Sequence, residues 1–107
     1  MRIELNEVIW LEAETLSFDE LLERSGLPAQ LLKELVQAGG IPPLDPSAAQ
    51  PQYGARALMV ARRARRLQQD FELDAAALLL VLDLLDRVAE LEGRLNELQV
   101  KLPRRAS

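Results

Sequence analysis

Cysteine and histidine are both absent from these 107 residues. Without thiolates or imidazoles the usual zinc, iron–sulfur and haem ligand sets cannot be assembled. Cysteine nucleophiles and histidine bases go with them, so an enzyme would have to work with carboxylates, Lys, Tyr or Ser alone. The expectation is a non-catalytic protein with no cofactor and no metal. Aromatics are scarce too. Trp10, Phe18, Tyr53 and Phe71 are the whole set in a chain crowded with Leu and Ala, which points to an aliphatic, helical core. Long apolar runs are missing: the most apolar stretch, residues 75–82, is followed by Asp83 and falls far short of the roughly 20 residues of a membrane span. The opening MRIELNEVIW lacks the basic start and apolar run of a signal peptide, so a cytoplasmic location is expected.

What is present fits one small folded domain: 49% hydrophobic and 28% charged residues exclude disorder and fibrous repeats. The net charge of -4 hides a division along the chain. Residues 1–54 carry three basic groups against nine acidic ones, residues 55–74 five arginines against three acids, and residues 75–107 balance. Either part of this charge is used internally or two surfaces meet different partners.

Periodicity gives the elements. Ile3, Leu5, Val8 and Trp10 alternate loosely, as in a short strand over residues 3–10. Ser17 and Glu20 then form an S-x-x-E capping box ahead of FDELLER, which Ser25-Gly26 stops. Pro28 begins a second helix, AQLLKELVQA, closed by Gly39-Gly40. Two short helices across a tight turn make a helix-turn-helix. Four prolines make residues 39–52 a loop, with room for a brief strand at Gln52-Tyr53. A third helix is expected from about Ala55 to Asp70, burying Ala57, Val60, Ala64, Leu67 and Phe71 as one stripe. Asp74 caps a last helix running to Lys101 before Pro103.

That last helix holds the clearest pattern. Val81, Leu84, Val88, Leu91, Leu95 and Leu98, continued by Leu102, fall at alternating spacings of 3 and 4, an a/d seam that predicts a homodimer interface. Helix direction stays open: a parallel pair would set Arg87 against Glu92, and an antiparallel pair would bring arginine-bearing g positions together. The chain divides into a winged helix-turn-helix-like domain over 1–73, a coiled-coil dimerisation helix over 74–102 and a disordered tail over 103–107.

Strand, helix-turn-helix, proline-rich loop, arginine helix and long terminal helix resemble the MerR type of winged helix. The expected fold class is mainly α: a MerR-like winged helix-turn-helix with a short N-terminal strand and a long C-terminal dimerisation helix. The run RARRLQQDFELDAAALLLVLDLLDRVAELEGRL is similar to the corresponding region of the CbpM-type chaperone-modulatory family. The MerR resemblance implies an antiparallel dimer. The CbpM resemblance implies a partner, the J domain of a CbpA-like co-chaperone of the DnaJ type, whose co-chaperone and DNA-binding activities such proteins restrain. Excess carboxylate suits the basic helix that J domains usually present.

Candidate contacts for that partner are Asp70, Glu72, Asp74, Asp83, Asp86 and Glu90, with Leu73 and Leu82 as an apolar centre. Asp19, Glu20 and Glu23 on the first helix are the rival surface. The competing function is a dimeric MerR-type DNA-binding transcriptional regulator. Placement of Lys and Arg counts against it: the second helix offers Gln30, Lys33 and Gln37 with Glu34 among them, and the loop after it has no Lys or Arg, whereas phosphate contacts dominate such affinity. Arg56, Arg62, Arg63, Arg65 and Arg66 are the one cluster suited to a polyanion, although a solvated helix face with internal ion pairs explains them as well.

Overall fold

The computed structural model describes residues 15–102, and within them lie four helices: α1 (Phe18–Ser25), α2 (Ala29–Gln37), α3 (Ala55–Phe71) and α4 (Ala75–Lys101). The strand expected over residues 3–10 and the tail at 103–107 lie outside the described residues. Each helix begins and ends for a reason visible in the sequence. The Ser17 hydroxyl accepts from the Glu20 amide at 3.1 Å and the Glu20 carboxylate accepts from the Ser17 amide at 3.0 Å, completing the capping box of α1. The bond from the Ser17 amide, then that from its hydroxyl, holds the Glu20 carboxyl below its ordinary range. Gly26 ends α1 at φ 75°, a left-handed position open to a residue without Cβ. At the end of α2, Gly39 at φ 84° lets its own amide donate to Val36 O and the Gly40 amide to Leu35 O, the paired bonds of a Schellman cap.

Where the sequence leaves room for a brief strand, the chain makes a single antiparallel bridge. The Leu16 amide donates to Tyr53 O at 2.8 Å and the Tyr53 amide to Leu16 O at 2.7 Å. The proline-rich loop between α2 and α3 is closed by one further bond, Leu44 amide to Gln52 O. Four prolines cannot donate to a ladder, so the wing is a loop and no strand forms among the described residues. Tyr53 is buried, its ring edge-on to Phe18 at 6.5 Å, and burial pushes its phenol above the ordinary value.

Leu21 of α1, Leu32 and Leu35 of α2, Ile41, Leu58 of α3 and Leu78 of α4 are fully buried. They form one aliphatic core in which α1 packs on α3, and α4 on α3 and α2. The buried face of α3 is Leu58 with Ala57, Ala61 and Ala64, whose small side chains allow close helix approach, while Val60 and Leu67 are half-buried. Phe71, expected to end the buried stripe, is 65% exposed. The reason is length: the eight residues of α1 cover about 12 Å of the roughly 25 Å occupied by the seventeen of α3, and Phe71 lies past the end of the cover. Only the first two turns of α4 are packed. From Asp83 to Leu102 every residue is exposed, so this helix projects and stretches the molecule to 55 × 33 × 29 Å. Among the described residues no helix is long and apolar enough to cross a membrane.

Candidate functional site at the acidic turn and the projecting helix

The junction of α3 and α4 is three residues long and tightly determined. α3 is closed by Glu72 at φ 53°, the one non-glycine residue at positive φ among those described. Asp74 then starts α4, its carboxylate accepting from the Ala77 amide at 2.9 Å. Leu73 between them is half-buried and packed on the core. Asp70, Phe71 and Glu72 all face solvent. The turn therefore presents an aromatic ring flanked by carboxylates, with a third carboxylate, Asp74, committed to its cap.

This arrangement revises the apolar centre expected beside the acids. Leu82 belongs to the core at 6% exposure, and Leu73 leans the same way. Phe71 supplies the exposed apolar surface instead, a residue that the stripe assignment hid. The signal available in sequence was the position of Phe71 in QQDFELD, the last residue before a helix stop.

The remaining candidates, Asp83, Asp86 and Glu90, lie on one side of α4 within about 60° of arc and start about 14 Å along the helix from Asp74. Asp83 accepts from Arg87 Nε at 3.1 Å, and Glu90 pairs with Arg94 in the same i,i+4 manner. Both pairs are exposed and worth about 0.3–0.5 kcal/mol each. They neutralise two of the three carboxylates. Asp86 makes no ion pair among the described residues and borders a cleft against α3. Asp19, Glu20 and Glu23 of the rival surface are exposed on α1, with Glu20 engaged in its capping box.

Two pockets of about 540 and 790 Å³ lie along that cleft and share Arg56, Met59, Val60 and Asp86 as lining. Arg62, Arg63 and Arg66 line the first, and Pro42, Pro43 and Leu44 the second. Arg62 also donates from Nε to Arg24 O at 3.5 Å, which ties α3 to the end of α1. Arg56, Arg63 and Arg66 make no ion pair among the described residues. On the helix-turn-helix, Gln30, Lys33, Glu34 and Gln37 of α2 are exposed, and the Gln30 amide donates to the Glu34 carboxylate at 3.2 Å.

Of the seam, Val81 is half-buried, whereas Leu84, Val88, Leu91, Leu95 and Leu98 are about half exposed or more. Nothing within the described chain folds back on them. No three carboxylates among the described residues converge as metal ligands would. A family model for MerR HTH family regulatory proteins matches residues 16–100. No curated protein matches the sequence.

Proposed function

The chain belongs to the MerR HTH family of regulatory proteins, and on that footing we propose that it regulates by binding a protein and not by reading DNA. In this reading it is a non-catalytic dimer, antiparallel along α4, that takes the J domain of a CbpA-like co-chaperone and restrains it. The observation that carries the reading is the surface of the helix-turn-helix. A recognition helix needs basic or amide side chains free to reach base edges and phosphates. Here Lys33 is the one cation on α2, Glu34 sits beside it and holds Gln30, and the following loop has no Lys or Arg. The acidic turn offers the opposite chemistry. An exposed aromatic ringed by carboxylates suits a basic partner, the ring supplying affinity and the charges the encounter rate. The choice of J domain rests on the likeness of residues 63–95 to the CbpM type.

The test is titration calorimetry of the full chain with a purified J domain of the CbpA type at two salt concentrations. Binding that weakens with salt, and that Phe71→Ala or Asp70→Lys with Glu72→Lys reduces, supports the reading. A second reading, the DNA-binding regulator, draws on one observation: Arg56, Arg63 and Arg66 along an open cleft. A sequence-dependent, salt-resistant gel shift by the protein alone would select it.

A further inference from the structure

The arginines of α3 differ from those of α4. On α4, Arg87 and Arg94 each pair with a carboxylate one turn earlier, Asp83 and Glu90. On α3 the one such neighbour is Asp70, which follows Arg66 instead of preceding it, the weaker order on a helix. No pair forms between them among the described residues.

Arg56, Met59, Arg63 and Arg66 fall at spacings of 3, 4 and 3, so they share one face of α3. The three arginines are exposed and spread over about 15 Å of helix. Met59 stands among them at 47% exposure, and across the cleft stands Leu44 at 60%. That wall is fixed in place: the Leu44 amide donates to Gln52 O at 2.8 Å, and its side chain lies so close to Gly54 that a Cβ there would meet it at 3.2 Å. Asp86 borders the cleft from α4, about 160° around that helix from both Leu84 and Val88. A second copy seated on the seam therefore approaches from the other side and leaves the cleft open.

Guanidiniums spread over about 15 Å of helix cannot converge on one small anion. They suit a row of acids. A nucleic-acid backbone would bring phosphates past Asp86 and nothing apolar to Met59 or Leu44. An acidic amphipathic helix brings both kinds of group, carboxylates at the helical spacing of the arginines and apolar side chains between them.

We propose that the α3 cleft binds an acidic amphipathic helix of a partner protein, with its carboxylates on Arg56, Arg63 and Arg66 and its apolar side chains on Met59 and Leu44. This assignment is independent of the J-domain reading, which uses the turn beyond the end of α3.

The test is fluorescence anisotropy of the full chain with a labelled helical peptide of about four turns that carries Glu and Leu on one face. A scrambled peptide of the same composition and an oligothymidylate of equal charge serve as comparisons. The helical peptide should bind saturably, and the scrambled one about fivefold or more weaker. Arg63→Glu with Arg66→Glu should weaken binding about tenfold, and Leu44→Ser about threefold. Lys33→Glu with Lys101→Glu changes the net charge as much but lies off the cleft, and should shift affinity by less than about twofold. Circular dichroism should show the parent's helix content in each variant, since all these side chains are exposed. No binding of the helical peptide, equal binding of the scrambled one, or an equal loss from the Lys33 and Lys101 pair would overturn the proposal. Tighter binding of the oligothymidylate than of the helical peptide would overturn it in favour of nucleic acid.

Discussion

Glu72 is where stability and surface chemistry pull apart. A left-handed helix cap normally carries Gly or Asn, and a residue with Cβ costs about 1–2 kcal/mol there. Glu72→Gly should therefore stabilise the fold by about 0.5–1 kcal/mol, once the added chain entropy of glycine is subtracted. The same change should weaken J-domain binding, and thermal melting beside calorimetry reads both effects. Phe71→Ala should leave the melting temperature nearly unchanged, because the ring is mostly in water, yet lose partner affinity. Ser17 and Glu20 act differently. Ser17→Ala removes the α1 cap and should cost about 1 kcal/mol. The folded-state pKa of Glu20 lies below its unfolded value, so its contribution is present above the unfolded value and disappears as pH falls through the folded one. Melting curves across acid pH should show wild type losing stability over that range, and Glu20→Gln, which keeps a capping side chain without the titration, losing less.

Among the elements, helix ends were the most legible part of the sequence, because caps are local chemistry: Ser17 with Glu20, Gly26, Gly39 and Asp74 all act where their residue types placed them. Which face of a helix is buried depends on neighbours that local pattern does not contain. On α3 the expected stripe is buried or half-buried at Ala57, Val60, Ala64 and Leu67, but packing adds Leu58 and Ala61 to it and leaves its last member, Phe71, exposed. Leu58→Ala should cost about 2–5 kcal/mol, the range for a fully buried leucine, by chemical denaturation. The proline-rich segment was legible as a loop, since its prolines leave too few donors for a hairpin, and its brief strand shrinks to the single Leu16–Tyr53 bridge. For α4 the sequence showed both the seam and its exposure problem. Replacing Leu91 and Leu95 with Lys should give monomers in sedimentation while the core, which those residues do not touch, keeps its helical signal.

At the scale of the molecule, one end is a small aliphatic core and the other a bare helix whose exposed leucines we propose are covered by a second copy. The acidic turn lies at the packed start of α4, two turns before the helix becomes bare at Asp83. DNA is the contrasting prospect, and at physiological salt the isolated protein should show no useful affinity for duplex DNA, because few of its cations lie on the helix-turn-helix. The most direct measurement of the central claim is titration of the full-length chain with a CbpA-type J domain. Saturable binding that weakens with added salt and is lost on Asp70→Lys with Glu72→Lys is the expected result. No heat and no complex at either salt concentration, with the chain folded and dimeric, would contradict the account.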